Sequence, residues 1–318
     1  MKVLLTGANG FVGSHILDTL VERGLPAVVL LRPGANRRWI EPNLAQCEIR
    51  AGSITDPSSL EPALRGITHV IHCAGRTKAL RTEEYYATNE AGTRNLVDAV
   101  NRAGRAVQRF VCVSSLAASR PAVASAPARE DDPPQPVSEY GRSKLAGEEV
   151  VRRHCRAPFV ILRPPGVYGP RDTDFLQLFR AVRRHLLPSF GGGSQPLSLV
   201  YVRDLARATV LALEHPAAPE VATPLLLARR IAEALGTWTV PLPLPWWGLW
   251  AVCLAQETGS RITGRPGILS RQKYLEARAA GWVCNVTRLR EELGVECGTD
   301  LREGVARTRD WYRGEGWL

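Results

Sequence analysis

Along the first 165 residues, short apolar runs alternate with stretches whose apolar positions recur every three to four residues. The runs are 2–6, 27–31, 48–50, 69–73, 109–114 and 159–163, and the amphipathic stretches include 13–23, 83–103 and 138–153. Short apolar runs bounded by turn residues suit buried strands, and the longer periodic stretches suit helices lying on a sheet. Their alternation predicts βαβ units and a parallel sheet covered on both faces. No repeat with a 20–50-residue period is evident. Beyond Pro170 the rhythm changes. Segments 174–185 and 202–214 read as helices, separated by the loop Gly191-Gly192-Gly193 and a short strand near 197–200. Pro241, Pro243 and Pro245 then lead into the most apolar stretch, 244–255, and segments 287–294 and 301–315 read as two short helices. The prediction is an α/β chain: a Rossmann-type, doubly wound parallel sheet over 1–165 and a smaller, mostly helical substrate-binding part over 166–318. Some of the second part is expected to return to the sheet.

Composition narrows the class. At 318 residues, with 45% hydrophobic and 23% charged positions, the chain has the makeup of a globular protein with a substantial core. Its seven cysteines are odd in number and lack C-x-x-C spacing, so they read as small buried hydrophobes in a reducing compartment. Neither a disulfide framework nor a metal site is predicted, and the cytoplasm is the expected location. Met1-Lys2 runs straight into Val3-Leu4-Leu5 and a glycine turn, too short for a signal-peptide core. The 244–255 stretch falls short of the ~20 apolar residues of a membrane span. It reads either as a buried helix or as one that is interfacial or lines a substrate site. Net charge is +10, nearly all from scattered arginines, with no aromatic–basic or zinc-finger pattern beside them. Compositional bias and attraction of anionic small molecules explain this better than nucleic-acid binding.

Two motifs carry chemistry. Tyr140-Gly141-Arg142-Ser143-Lys144 places a phenol and an ammonium four residues apart on one helix face, with Ser115 upstream on a separate strand. A phenol that ordinarily loses its proton near pH ~10 is shifted toward the phenolate by a nearby cation, which suits proton exchange near neutrality. At the other end, Thr6-Gly7-Ala8-Asn9-Gly10-Phe11-Val12-Gly13 lies between the first strand and first helix. Glycines there permit a tight turn, and the helix N-terminus presents N–H groups to a pyrophosphate. The second strand ends in Arg32, followed by Arg37 and Arg38, with no acid before Glu41. An acid at this place bonds a ribose 2′-hydroxyl, whereas arginine suits a 2′-phosphate, so NADP(H) is favoured over NAD(H). Asp56 is read either as an acceptor for an adenine amine or as the cap of a turn opened by Pro57.

Taken together, these motifs resemble the extended short-chain dehydrogenase/reductase family, also called the NAD-dependent epimerase/dehydratase family. The resemblance runs through residues 6–13, His72-Cys73-Ala74-Gly75, Asn89-Glu90-Ala91-Gly92-Thr93-Arg94-Asn95-Leu96, Ser114-Ser115 and Tyr140–Lys144. It continues through Leu162-Arg163-Pro164-Pro165-Gly166-Val167-Tyr168-Gly169-Pro170, Tyr201-Val202-Arg203-Asp204-Leu205-Ala206 and Arg290-Glu291-Glu292-Leu293-Gly294. It implies that Ser115, Tyr140 and Lys144 are catalytic, with Tyr140 the acid/base and Lys144 holding the nicotinamide ribose. It further implies cofactor contacts from Gly7, Gly10, Phe11, Val12, Gly13, Arg32, Arg37, Ile54, Asp56, Ala74, Asn89, Ser114, Pro164 and Val167. Lys78, Ser115 and Tyr168 are its candidates for touching substrate, and homodimerisation through the 83–103 and 138–153 helices is expected by analogy.

Within that family, Leu116-Ala117-Ala118 stands where dehydratases carry an Asp-Glu pair after the catalytic hydroxyl, so dehydration is not expected. Leu30-Leu31-Arg32-Pro33-Gly34 with Arg37-Arg38-Trp39, and Lys78, look more like the dihydroflavonol reductase and 3β-hydroxysteroid dehydrogenase branch, Lys78 lining either the substrate or the cofactor side. Trp246-Trp247-Gly248-Leu249-Trp250 reads either as suiting a hydrophobic or aromatic substrate or as an ordinary packed helix. The expected activity is NADP(H)-linked interconversion of a carbonyl and a secondary alcohol on a small hydrophobic or ring-containing substrate. The alternatives are an NAD-dependent sugar-nucleotide epimerase and a non-catalytic NADP-sensing protein. Around 215–230 the chain is shorter than family members usually are, and the strand expected there is hardly visible in 221–228.

Overall fold

The computed structural model describes residues 1–190, 195–214, 224–288, 291 and 297–318. Six parallel strands form its central sheet: β1 (Val3–Thr6), β2 (Ala27–Leu31), β3 (Cys47–Ala51), β4 (His69–His72), β5 (Arg109–Val113) and β6 (Phe159–Leu162). Their order is β3-β2-β1-β4-β5-β6, the doubly wound arrangement whose strand order reverses beside β1. The register sets Thr6 beside Leu30 and His72, so the carboxyl ends of the central strands finish level. Each predicted strand is present. β1, β2 and β4 are buried along their whole length, as a sheet covered on both faces requires.

Helix α1 (Phe11–Glu22) follows β1, the short α2 (Leu60–Ala63) follows β3, and α3 (Thr82–Tyr86) runs through a widened turn at Ala87–Ala91 into α4 (Gly92–Ala103). α5 (Glu139–His154) precedes β6. One core joins the sheet to α2, α4 and α5 through Leu4, Val70, Phe110, Leu96, Val100 and Val151. The other joins it to α1 and to α7 (Val202–Leu211), so a helix from the second half of the chain helps cover the α1 face of the sheet.

Beyond β6 lie β7 (Gly166–Tyr168), α6 (Phe175–Arg183), β8 (Leu186–Phe190), β9 (Leu199–Tyr201), α7, α8 (Pro224–Leu235) and β10 (Val240–Leu244). They are followed by α9 (Trp246–Thr263), α10 (Arg271–Arg278) and α11 (Leu301–Gly314). A third core of Tyr168, Phe179, Val182, Tyr201, Ile231, Val305 and Tyr312 unites several of these elements. Three expectations change here. The proline-rich lead-in is a strand, β10, paired in parallel with β8, which the pattern also missed. Val240 N–H bonds His185 O, so alternation turns the imide nitrogens of Pro241 and Pro243 to the edge away from β8, which pairs with no strand among the described residues. Where a strand was weakly expected at 221–228, helix α8 starts at Pro224, and the rest of that stretch, like Gly191-Gly192-Gly193 and most of 287–294, lies outside the described residues. Finally, of the two readings of the 244–255 stretch, the buried helix is the one excluded. α9 seats only Leu249, Cys253 and Ser260 fully, leaving Trp247 and Trp250 outside.

Candidate active site

The turn after β1 has the shape a diphosphate needs. Gly7 adopts φ 75°, and a Cβ there would lie 2.6 Å from Ala74 N, so only glycine lets the turn press against the end of β4. A Cβ on Gly13 would lie 2.0 Å from Gly7 O, which ties α1 equally closely to the turn. Gly10 sits at the cap of α1 and offers no side chain to its first N–H groups, including those of Phe11 and Val12. These groups fit an anionic dinucleotide. Arg32 and Arg37 stand exposed beyond β2, and neither forms an ion pair among the described residues. Arg38, by contrast, is held by Glu315 at 2.6 Å and lies 4.4 Å over the Trp39 ring.

Two predicted contacts in this half are committed elsewhere. Asp56 accepts from Ser58 N (3.1 Å) and Ser58 Oγ (2.7 Å), capping the turn at Pro57–Ser59. The side chain of Ile54 is buried in the core against Gly92, so only its backbone is left to face a ligand.

At the other end, Ser115 follows β5 at the mouth of a tight turn, where its Oγ accepts from Ala117 N (3.2 Å). Tyr140 lies in the first turn of α5, one residue before Gly141. A Cβ at Gly141 would come within 2.2 Å of Ala117 O, so this glycine lets the tyrosine-bearing helix touch the serine-bearing turn. Lys144 Nζ donates to Val113 O (2.9 Å) and lies 3.6 Å from where a Gly75 side chain would begin. The fold thus brings Ser115, Tyr140 and Lys144 to the carboxyl end of the sheet, beside the glycine turn. A hydroxyl, a phenol and an ammonium so gathered can polarise a carbonyl oxygen and exchange a proton with it.

Beneath these groups lies a buried polar layer. Ser114, a predicted cofactor contact, instead points its hydroxyl back and donates to Glu148 (2.5 Å). Burial alone would raise the Glu148 carboxyl. The hydrogen bonds and charge of Arg163, aided by Ser114 and Arg152, instead hold it below the ordinary carboxylate range. Asn89 is 3% exposed; its amide accepts from Arg76 N (2.8 Å) and donates to Arg76 O (3.0 Å) and Ser143 Oγ (2.9 Å). It therefore fixes the loop after β4 to the Tyr140-bearing helix α5. His72 is wedged between Thr6 Oγ1 and Thr93 Oγ1, both at 2.9 Å. Burial, with the Lys144 charge, depresses its pKa to about 3. Burial also pushes the nearby thiols of Cys73 and Cys112 up to about 12 and about 11, so neither is a thiolate near neutrality. Pro164 O accepts from Leu116 N (2.9 Å), and Val167 is paired with Val200 in the two-stranded ladder of β7 and β9.

The rim contains one residue that the sequence singled out and several that it did not. Lys78, a candidate substrate contact, directs its Nζ to Asp174 Oδ1 at 2.5 Å. Tyr85, 6% exposed, places its ring 6.2 Å from that of Tyr140. Helix α10 clamps the start of α5: Glu276 Oε1 accepts from Ser138 Oγ (2.6 Å), and Gln272 Oε1 accepts from Glu139 N (2.8 Å). Ser138 Oγ in turn accepts from Gly141 N (3.0 Å). Lys273 donates to the other Glu276 oxygen (2.8 Å). Desolvation opposes its charge, but Glu276, with smaller contributions from Tyr140 and Asp174, raises its pKa. Nothing in the 271–278 pattern marked these side chains, because their importance comes from a contact more than 130 residues away in sequence. Tyr168 requires correction. It is 2% exposed in the third core, with its hydroxyl against Gly304, and does not face the site.

Comparison with known proteins agrees with this architecture. A profile of the NAD dependent epimerase/dehydratase family matches residues 3–224. The ceramide reductase of Caulobacter vibrioides is 30% identical over 327 residues, covering 99% of this chain and 96% of that protein. Among solved structures, gox2253 superposes with a TM-score of 0.81 at 28% identity, covering 100% and 99% of the two chains. The UDP-glucose 4-epimerase of Thermus thermophilus, solved in complex with NAD, gives 0.77 at 26% identity, covering 99% of each chain.

Proposed function

This chain belongs to the NAD-dependent epimerase/dehydratase family, the extended short-chain dehydrogenase/reductases, and from that premise we propose that it is an NADP(H)-preferring reductase of hydrophobic carbonyl compounds. The observation that carries the reading is the contact of the Tyr140 helix with the Ser115 turn, beside a glycine turn fitted to a dinucleotide. When bound, the nicotinamide supplies or accepts the hydride. Ser115 Oγ holds the substrate oxygen, and Tyr140 donates the proton to that oxygen as it gains negative charge. In the reverse direction Tyr140 takes the proton from the alcohol. Lys144, tethered to Val113 O, steadies the ribose side of the site. Arg32 and Arg37 would hold a 2′-phosphate, with Phe11, Val12 and Gly13 N–H groups holding the diphosphate.

The relation to a ceramide reductase favours an apolar, long-chain or ring-bearing carbonyl. A sugar-nucleotide epimerase is the second reading, supported by the UDP-glucose 4-epimerase likeness. We also propose a homodimer through the outer faces of α4 and α5; a monomer by light scattering at micromolar concentration would refute that part. The test of function is a carbonyl screen with NADPH and NADH, sugar nucleotides included, on the wild type and on Tyr140→Phe. The variant should keep cofactor binding and lose at least ~10²-fold in turnover. Near-normal turnover, or activity confined to sugar nucleotides without net cofactor oxidation, would overturn the reading.

A further inference from the structure

Helix α9 turns an apolar stripe to the outside. Trp247 is 75% exposed, Trp250 44%, Leu254 37% and Ile262 83%. With Ala251 and Thr258, also exposed, they follow the i, i+3, i+4, i+7 spacing of a single face along a helix roughly 27 Å long. The opposite face, through Leu249 and Cys253, seats the helix on the protein. Exposed large apolar side chains occur singly on most proteins, but four in register, two of them indoles, form a patch. Tryptophan, apolar in body with one N–H donor, is the side chain most at home between lipid headgroups and acyl chains.

The surroundings of the stripe select its partner. Arg261 lies on the same face, beyond Leu254, with 63% of its side chain exposed. Arg265 is exposed where the helix ends and Arg278 on the adjoining α10, where Arg271 and Lys273 are also exposed. Arg261 and Arg271 share Glu257 and Lys273 pairs with Glu276, so the segment keeps an excess of positive charge. Residues 246–278 hold five basic and two acidic side chains, within a chain whose net charge is +10. A second copy of this chain, itself at net charge +10, offers no excess of acid to meet this collar. An anionic surface complements them.

We propose that the outer face of α9, with its basic collar on α10, docks on an anionic lipid bilayer, the helix lying in the plane of the headgroups. No helix among the described residues is long and apolar enough to cross a membrane, so attachment is peripheral. Because α10 clamps Ser138 and Glu139 at the start of the Tyr140 helix, the docked face lies next to the rim of the candidate site. The proposal concerns binding and stands whatever the substrate proves to be.

The test is co-sedimentation of the full chain with vesicles of phosphatidylcholine alone or mixed with phosphatidylglycerol, at low and high salt. The wild type should pellet with the phosphatidylglycerol vesicles and be released by salt. Trp247→Ser/Trp250→Ser should weaken that binding at least ~10-fold, and Arg265→Glu should narrow the preference for the anionic vesicles. NADPH binding and light-scattering mass, both independent of the lipid, should be unchanged in the tryptophan variant. Three results would overturn the proposal: no preference of the wild type for phosphatidylglycerol, undiminished binding by the tryptophan variant, or its dissociation from a larger to a smaller species. The last would assign the stripe to a second copy.

Discussion

Replacing Glu148 by Gln tests how the buried polar layer supports the site. The carboxylate is fully buried and accepts from Arg163 Nε (2.9 and 3.1 Å), Arg163 Nη2 (2.8 Å), Arg152 Nη2 (2.8 Å) and Ser114 Oγ (2.5 Å). Glutamine keeps the shape but removes the charge and turns an NH2 group toward donors. The Arg163 side chain is only 13% exposed, so its guanidinium is left with an uncompensated charge. Breaking a buried pair in this way costs about 3–5 kcal/mol. The Arg152 share is small, because solvent screens a side chain 42% exposed. Against a typical total of about 5–15 kcal/mol, the loss is severe but survivable. Urea unfolding at pH 7 should show it directly. The pH dependence supplies the sign. Glu148 is held below its ordinary value in the folded chain, so its stabilisation is complete above the unfolded carboxyl's pKa of about 4.3. It is lost as pH falls from there through the lowered folded value. The gap between wild type and Glu148→Gln should therefore be constant from pH 8 to 6 and narrow below pH ~4.3. A variant within ~1 kcal/mol of wild type at pH 7, or a gap that widens in acid, would refute the reasoning. Since Ser114 precedes Ser115, the variant should also lose turnover beyond what its unfolded fraction explains.

Further outcomes follow from other contacts. Arg32→Ala should weaken NADPH binding by ~10-fold or more and leave NADH nearly unaffected, as read by fluorescence titration; equal losses would sink the 2′-phosphate assignment. Gly141→Ala puts a Cβ 2.2 Å from Ala117 O and must push α5 away from the Ser115 turn, so turnover should fall far more than melting temperature. If both fall in proportion, the contact is merely structural. His15 and His72, each with a pKa held at about 3 chiefly by burial, remain neutral in the fold while the unfolded chain protonates them near 6.5. Stability should therefore decline as pH drops below ~6.5, by up to about 1.4 kcal/mol per unit for each imidazole. Flat stability between pH 7 and 5 would contradict this.

What could be read from the chain divides along a physical line. The central sheet, its helices, the glycine turn and the Tyr140–Lys144 pair were legible because each depends on local periodicity or on residues close in sequence. The strands β8 and β10 escaped the pattern because prolines usually mark a strand's absence. β10 forms a strand here because alternation turns the imides of Pro241 and Pro243 to the edge away from β8. Side-chain direction was equally out of reach. Ser114 and Tyr168 sit in motifs expected at the site, yet Ser114 turns to a carboxylate 34 residues on, and Tyr168 packs against Gly304.

The order of apolar runs and the spacing of glycines were enough to determine a doubly wound sheet, a dinucleotide turn and a tyrosine–lysine pair. Only the tertiary structure decided which polar groups surround that pair. The clamp of Glu276 and Gln272 on the start of α5, the Glu148–Arg163 pair beneath β5 and the outward face of α9 all depend on which surfaces meet. A one-dimensional pattern gives the period of a helix, but packing chooses which of its faces is covered and which is left to water.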